Sequence, residues 1–590
     1  MGESGPEATA EGPDGREAAL TDASPGEVDL LRSDKAEETA FAPGTRRPAS
    51  QSIVRNAVMN LLDFTAGLIQ GFFWPPIMLA AFARQLAPDK AQDMLGVWDL
   101  GWGTVVSLKL LYLGTAASVN RFVARHRATG DWLMLNRSVS ACGCLLAGSG
   151  IAAVVLTVVL TVLLPHNIDP SGHLYPYLDV TQWVVLFMGI MCGIEMFMST
   201  YYGVITGCQR YDLTAWINIT MIAVQLVTLV LVLRAGLDLR AVVVAMFGLK
   251  LLESFLIWRA AHRVCPTLRF QPASVRLHDL IQVGKFGAKT FVGNISDSVV
   301  TTATSWLLTG GVGLAPLAWL KRSTALIDNS RKGVFQITRM LAPVSSEAQA
   351  LGAQGAVRRL ALDSTRWSLL LSLPGMLALA ILYQPLLRLW LGPAQWQFYS
   401  LPLLPILAAG NLIQLAVMGP RSVLLGLNKH GWMGVLNLIG GALTIAAIVC
   451  SLRVFHGGVL GVAIALAGAP ALVTLVGMPI IMAWHTDFSI RKMGFLLIEA
   501  VLLALPFTAW LLLCRFGAAA LDALTARFGR LGTTHLVETW NHHARLGDGM
   551  VILAALGGGA IILLATYWRR AVPEVIKAQI RRLWTKADKT

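Results

Sequence analysis

Residues 201–219 read YYGVITGCQRYDLTAWINI, and they join two apolar runs through a very short polar break. The break holds one basic and one acidic residue, Arg210 and Asp212, and the chain is apolar again within about ten residues. This pattern is typical of a tight turn between two membrane spans, because a non-helical backbone needs water while the flanking helices can lie in lipid. The stretch therefore predicts two adjacent transmembrane helices, with Arg210 as a topology anchor at the membrane surface.

Apolar runs of similar length recur along nearly the whole chain after residue 50. The 590 residues are 55% hydrophobic and 14% charged, with a mean hydropathy of +0.60, whereas a soluble domain is about 25% charged. A run of about 20 residues forms a helix long enough to cross the hydrocarbon core. We therefore predict an all-α polytopic membrane protein with about fourteen transmembrane helices, centred near residues 69, 109, 151, 193, 223, 250, 297, 328, 376, 413, 443, 471, 505 and 559.

The basic residues predict the orientation of these helices. A net charge of +14 would suggest a nucleic-acid partner in a soluble protein, but here most Lys and Arg residues lie in short loops between spans. The loops that would share a side with the N-terminus carry most of them, and the opposite loop 165–180 has none. The positive-inside rule then places both termini in the cytoplasm, where anionic lipid attracts basic segments. We expect membrane lipids and no nucleic acid as partners.

The opening stretch has a second copy later in the chain. Residues 204–219 read VITGCQRYDLTAWINI and residues 423–438 read VLLGLNKHGWMGVLNL, with Val, Gly, a basic residue and Asn at the same spacing. Both copies lie between the fourth and fifth spans of a six-span set. Because six is even, two such sets enter the membrane from the same side and form parallel bundles with a cavity between them.

The chain is therefore predicted to have six parts. Its first residues are rich in Ala, Gly, Pro, Glu and Asp and cannot bury enough apolar surface to fold. The predicted parts are a disordered cytoplasmic tail (1–50), an N-lobe of spans one to six (51–265), an interfacial linker helix (266–285), a C-lobe of spans seven to twelve (286–486), spans thirteen and fourteen (487–568) and a basic cytoplasmic tail (569–590).

Three further segments carry a family resemblance. Residues 94–131 read MLGVWDLGWGTVVSLKLLYLGTAASVNRFVARHRATGD, residues 360–375 read LALDSTRWSLLLSLPG and residues 385–392 read PLLRLWLG. Together with the turn at 201–213, they resemble Wzx-type polysaccharide flippases of the multidrug, oligosaccharidyl-lipid and polysaccharide exporter superfamily. The resemblance covers about residues 53–485. It implies an inner-membrane flippase that translocates an undecaprenyl-pyrophosphate-linked oligosaccharide for O-antigen, capsule or exopolysaccharide biosynthesis.

The resemblance also implies a transport mechanism and protein partners. Two lobes would alternate access to a central cavity in a monomer that needs no cofactor. Spans thirteen and fourteen are associated in the family with lipid-linked substrates. A polysaccharide polymerase and glycosyltransferases are the implied protein partners.

Several charged residues fall within predicted spans. A charge near the bilayer centre costs a few kcal/mol and therefore faces a partner or a watery cavity. We predict a cationic cavity for the pyrophosphate group, formed by Lys109, Lys250, Lys321 and Arg322. The candidates for coupling to a proton or sodium ion are Asp63, Glu195, Glu253 and Asp297. The alternative is structural ion pairing, which the three-residue spacing of Lys250 and Glu253 on one helix face favours.

Other functions stay open at this stage. The chain has no Gly-x-x-x-x-Gly-Lys-Ser/Thr loop, so ATP hydrolysis is not expected. The rival transporters are a cation-coupled drug or metabolite antiporter of the same superfamily and a peptidoglycan-precursor flippase. A rival of another class is a membrane sugar polymerase or ligase, which would need reactive groups in a large outward loop. The one large loop expected, at residues 515–549, has no recognisable catalytic set, so we expect no enzyme.

Overall fold

The computed structural model describes residues 49–112, 116–338, 340–392, 397–429, 431–486, 490–529 and 535–570. These ranges contain no strand and form eighteen α-helices. The helices are α1 (Ala49–Gln85), α2 (Pro88–Leu108), α3 (Ala116–Ala128), α4 (Trp132–Asn167), α5 (Leu178–Gly207), α6 (Tyr211–Arg234), α7 (Leu239–Val264), α8 (Leu277–Gly311), α9 (Leu314–Thr338), α10 (Leu341–Ala350), α11 (Gln354–Ile381), α12 (Tyr383–Leu391), α13 (Leu403–Ala416), α14 (Met418–Gly426), α15 (Gly431–Arg453), α16 (Gly458–Thr486), α17 (Ile490–Gly529) and α18 (His535–Arg570).

Twelve helical segments within the described residues are long and apolar enough to cross a membrane. They coincide with twelve of the fourteen predicted spans. Predicted spans seven and eight are α8 and α9, which have sufficient length, 35 and 25 residues, but are more polar. Their polarity has a structural reason, because both helices pack against α2 inside the bundle instead of facing lipid alone. The chain is an all-α polytopic membrane protein, as predicted.

Three predicted segments differ in the structure. The two tails lie outside the described residues except for residues 49–50 and 569–570. The prediction of a large loop at 515–549 is wrong, because α17 continues to Gly529 and α18 begins at His535. Ala, Leu and Arg are good helix formers and extend these helices beyond their apolar parts. The linker helix is not separate either, since α8 runs without interruption from Leu277 to Gly311.

The helix contacts repeat between the two halves. In the first half α1 packs on α6, α4 on α5 and α5 on α7; in the second half α8 packs on α15, α11 on α13 and α13 on α16. The second helix of each half is also followed by a short helix, α3 after α2 and α10 after α9. Each short helix packs on the end of its half's fourth span, α3 on α5 and α10 on α14. The division into an N-lobe and a C-lobe stays a proposal, which this recurrence supports.

The turn in the opening stretch has the predicted form. Helix α5 ends at Gly207 and α6 begins at Tyr211. Gln209 within the turn has φ +57°, and Asn428 at the related position of the second copy also has φ +57°. A left-handed residue directly after a helix lets the chain satisfy the last carbonyl groups and reverse direction. The two copies therefore share a backbone conformation as well as a sequence pattern.

The two halves meet along a seam, which we define as α2 against α8 and α9. The N–H group of Ala315 donates to Asp93 Oδ1 at 3.0 Å, and Thr302 Oγ1 donates to the carbonyl of Gly103 at 2.8 Å. Gly96 is required for this approach, because a Cβ atom there would overlap the backbone carbonyl of Leu314. The contacts of Asp93 with Ala315 and of Gly96 with Leu314 lie at the end of the bundle where α2 and α9 begin, which we call the closed end.

Candidate functional site

Four charged side chains form a network in the first half of the chain, the proposed N-lobe. Lys109 Nζ lies 3.2 Å from Glu195 Oε1, and Lys250 Nζ lies 3.9 Å from Glu195 Oε2 and 3.2 Å from Glu253 Oε1. The four side chains are 18–40% exposed. Two cations and two carboxylates therefore neutralise one another at membrane level. We call this set the N-lobe network.

Local structure brings these residues together. A 3₁₀ turn, Lys109–Tyr112, follows α2 and carries Lys109 toward α5. The ammonium group also lies 5.5 Å from the centre of the Trp102 ring, in cation–π geometry. Lys250 and Glu253 are one helical turn apart on α7, as their spacing predicts. Sequence spacing alone could not predict the partner of Lys109, because Glu195 is 86 residues away.

We expect a measurable coupling between Lys109 and Glu195 in a double-mutant cycle. The coupling energy for unfolding of the purified protein should be about 0.5–1 kcal/mol, since both side chains are a third or more exposed and partly screened. Lys109→Ala, Glu195→Ala and the double variant would be compared by thermal unfolding in one detergent. The control cycle combines Lys109→Ala with Asp179→Ala, whose carboxylate pairs with Arg240 instead. Additive effects in both cycles would contradict the pairing.

A second pair crosses the seam. Arg322 on α9 donates to Asp99 on α2, and the two side chains are only 9% and 8% exposed. Near it, the hydroxyl of Tyr399 donates to Gln92 Oε1 at 2.9 Å, a further contact between the two halves. A buried ion pair of this kind is strongly destabilised when one partner is removed, because the other charge is left uncompensated. The pair is placed to hold the closed end together.

The second half of α9 is more exposed and carries further charges. Exposure rises from 9% at the Arg322 side chain to 55% at Asp328, whose carboxylate lies 3.7 Å from Arg331. Lys321 is half-buried and has no carboxylate within 4 Å among the described residues. Arg421 on α14 contacts Asn437 Oδ1 through Nη2 at 3.5 Å. This gradient indicates that α9 leaves the seam after Arg322.

The remaining predicted residues, Asp63 and Asp297, make fewer polar contacts in the described part of the chain. Asp63 on α1 is half-buried and accepts a 3.5 Å hydrogen bond from Asn218 Nδ2. Asp297 on α8 is exposed and has no ion pair within the part of the chain that the structure describes. The structure thus unites Lys109, Glu195, Lys250 and Glu253. It places Arg322 in a different pair.

Four of the charged residues described above were not among the candidates predicted from the sequence. They are Asp99, Asp328, Arg331 and Arg421. Asp99 lies within the apolar run around residues 94–108, so its burial cost was a readable signal. Which residue would neutralise it was not readable, because Arg322 is more than two hundred positions away. No group of three or more His, Cys, Asp or Glu side chains that could hold a metal ion occurs among the described residues.

The fold is similar to several solved transporters. No protein-family model matches the chain, and no curated protein matches it in sequence. The lipid II flippase MurJ in an inward closed conformation matches with a TM-score of 0.58 and 12% identity, over 88% of this chain and 99% of that one. A multidrug resistance MATE family transporter of the MOP superfamily, in an inward-facing conformation, matches with a TM-score of 0.55 and 12% identity, over 78% and 98%.

A third structure has a similar fold. It is a MOP superfamily transporter from Pyrococcus furiosus, with a TM-score of 0.52 and 12% identity, covering 72% of this chain and 94% of that one. At such identities the likeness concerns the fold alone. This chain therefore has the fold of the MOP superfamily transporters.

Proposed function

We propose that this protein is an inner-membrane flippase that translocates an undecaprenyl-pyrophosphate-linked oligosaccharide during surface polysaccharide biosynthesis. Its main support is the extent of the likeness to the lipid II flippase, which covers 88% of this chain. The residues before α17 make up less than that share, so the likeness must extend into the C-terminal helices. The similarity to the MATE family transporter covers a smaller share, 78%. The additional helices agree with a lipid-linked substrate better than with a drug antiporter.

The orientation predicted from the basic residues and the ion pair across the seam together support transport by alternating access. If both termini are cytoplasmic, as the distribution of basic residues predicts, the closed end would lie on the outer side of the membrane and the substrate would load from the cytoplasm. The pair of Asp99 and Arg322 would form part of the outer gate. Opening that gate and closing the other end would move the substrate outward by rearrangement of the two lobes. Loading in this state needs no ATP site, and a polysaccharide polymerase would act on the product outside.

Under this proposal, fewer of the four predicted cations can bind the pyrophosphate group. Lys109 and Lys250 belong to the neutral N-lobe network, and Arg322 is paired with Asp99. Only Lys321 of the four lacks a carboxylate within 4 Å in the described residues. The acidic candidates Glu195 and Glu253 would bind a coupling ion only if the cations beside them moved away. Asp63 and Asp297, which have no ion pair among the described residues, remain available to a coupling ion.

We expect deletion of this protein to trap lipid-linked oligosaccharide on the cytoplasmic side. In membrane vesicles of the deletion strain, the intermediate should accumulate several-fold and stay inaccessible to a glycosidase added outside. The parent gene on a plasmid should restore accessibility.

Other outcomes would favour the rival functions. Normal amounts of fully accessible intermediate would overturn the proposal and leave a drug or metabolite antiporter. Accessible but unpolymerised intermediate would point to a sugar polymerase or ligase. Accumulation of a peptidoglycan precursor instead would identify a peptidoglycan-precursor flippase.

A further inference from the structure

Two adjacent prolines interrupt the hydrogen bonding of α1. Pro75 and Pro76 lie inside this helix, which continues through them from Ala49 to Gln85. Proline has no backbone N–H group, so the carbonyl of Phe72 lacks the intrahelical donor that residue 76 would otherwise supply. Inside a membrane, a carbonyl group without a donor is costly unless a neighbouring element supplies one.

Trp390 on α12 supplies the missing donor. Its indole N–H group donates to the carbonyl of Phe72 at 2.6 Å, although the two residues are 318 positions apart. The rings of Phe72 and Trp390 also stack, with 5.1 Å between their centres and 17° between their planes. Trp390 is only 7% exposed, so the bond is shielded from water. The hydrogen bonding of α1 is therefore completed from the other half of the chain.

This contact lies at the level of the buried ion pair across the seam. Trp74, two residues after Phe72, packs against Trp98 of α2 with 5.4 Å between the ring centres. Trp98 directly precedes Asp99, whose carboxylate accepts from Arg322. Because α1 and α12 belong to different halves, separating the halves at this level would break the bond from the indole and leave the carbonyl of α1 without a donor.

Helix α12 is itself attached to the two C-terminal helices. Arg388 Nε on α12 lies 3.5 Å from Asp548 Oδ2 on α18, and the Asp548 side chain is only 8% exposed. The ring of Tyr383, also on α12, has its centre 5.3 Å from the guanidinium carbon of Arg515 on α17, in cation–π geometry. Helix α12 thus packs on α18 as well as on α1. A displacement of α17 and α18 would be transmitted through α12 to α1.

We propose that Trp390 is a latch that holds α1 against α12 in the closed arrangement, by supplying the hydrogen bond that Pro76 cannot give to the carbonyl of Phe72. The latch is a positioning device and binds no substrate. The carbonyl group stays in the membrane when the halves separate, so a donor that is present only in the closed arrangement favours that arrangement. The inference does not depend on the substrate, so it can fail while the proposed function stands.

The reporter for this latch is Ser305→Cys in the purified full-length protein, because Ser305 is fully buried against α2 at the seam. Trp390→Phe keeps an aromatic ring but removes the donor, and should raise the rate of reaction with a water-soluble maleimide about tenfold. Trp74→Phe is the matched control. The Trp74 indole is buried to a similar extent, at 9% exposed, but its N–H group has no acceptor in the described residues. This control should leave the rate unchanged.

Pro76→Ala separates the missing hydrogen bond from the packing of the indole ring. It returns to α1 an N–H group that can donate to the carbonyl of Phe72, so Trp390→Phe should then have little effect on the labelling rate. Comparing Trp390→Phe in both backgrounds removes any effect of Pro76→Ala alone. The latch would be overturned if Trp390→Phe acted equally in both backgrounds, or if it acted no more strongly than Trp74→Phe. Faster labelling that merely follows a lower unfolding temperature would overturn it too.

Discussion

Asp99→Asn should open the seam that the structure shows closed. Removing the carboxylate leaves Arg322 buried and uncompensated, which costs about 3 kcal/mol or more in the closed arrangement. A difference of this size changes the ratio of closed to open molecules by roughly a hundredfold. Arg322→Gln should act in the same direction. The double variant Asp99→Asn with Arg322→Gln should recover much of the closed population, since neither side then carries a buried charge.

A cysteine within the seam reports this change. Ser305 on α8 is fully buried and lies against Gly103 of α2. Ser305→Cys should react slowly with a membrane-impermeant maleimide in the parent background and at least tenfold faster with Asp99→Asn. The chain without Ser305→Cys gives the background from its seven native cysteines. Equal labelling rates in the parent background and with Asp99→Asn would show that the pair does not hold the seam.

Gly96→Val is expected to abolish closure and, with it, transport. A Cβ atom at residue 96 would collide with the backbone carbonyl of Leu314, which cannot rotate away as a flexible side chain can. The branched side chain would separate α2 from α9 at the contact between Gly96 and Leu314. A flippase that cannot seal this end should lose at least nine-tenths of its activity, measured as the glycosidase-accessible fraction of lipid-linked oligosaccharide after complementation of the deletion strain.

Gly148→Val is the matched control for this experiment. Gly148 is also within a membrane helix, α4, but has open space around the position of a Cβ atom. Both substitutions put the same β-branched residue into a helix, so their effects on helix propensity are equal. Gly148→Val should complement normally and should not raise the labelling of Ser305→Cys. Normal transport by Gly96→Val would mean that this contact is not needed at any stage of the cycle.

The sequence predicted the helices well because lipid imposes a strict rule on the backbone. Every span must satisfy its own hydrogen bonds, so length and apolarity identify it. The rule weakens where a helix faces other helices, and α8 and α9 are accordingly the two spans that the apolar criterion misses in the described residues. It also gives no end point for a polar helix outside the membrane, which explains the error at residues 515–549.

The candidate site was less predictable for a different reason. A buried charge can be recognised in a sequence, but its partner lies elsewhere in the chain. Lys250 and Glu253 were readable as neighbours because one helix sets their spacing. The partners of Lys109 and Arg322 depend on how helices from different parts of the chain meet.

The parallel relation proposed for the two lobes has a consequence for how the gates could evolve. Rotation about an axis along the membrane normal exchanges the two lobes. It leaves the cytoplasmic ends of the helices on the cytoplasmic side and the outer ends on the outer side. In transporters built from inverted repeats, by contrast, the symmetry relates the two sides of the membrane. Here the seal at the opposite end must be encoded by residues of its own. The balance between the two states is then a difference between two independently encoded seals, and selection can adjust either one without altering the other.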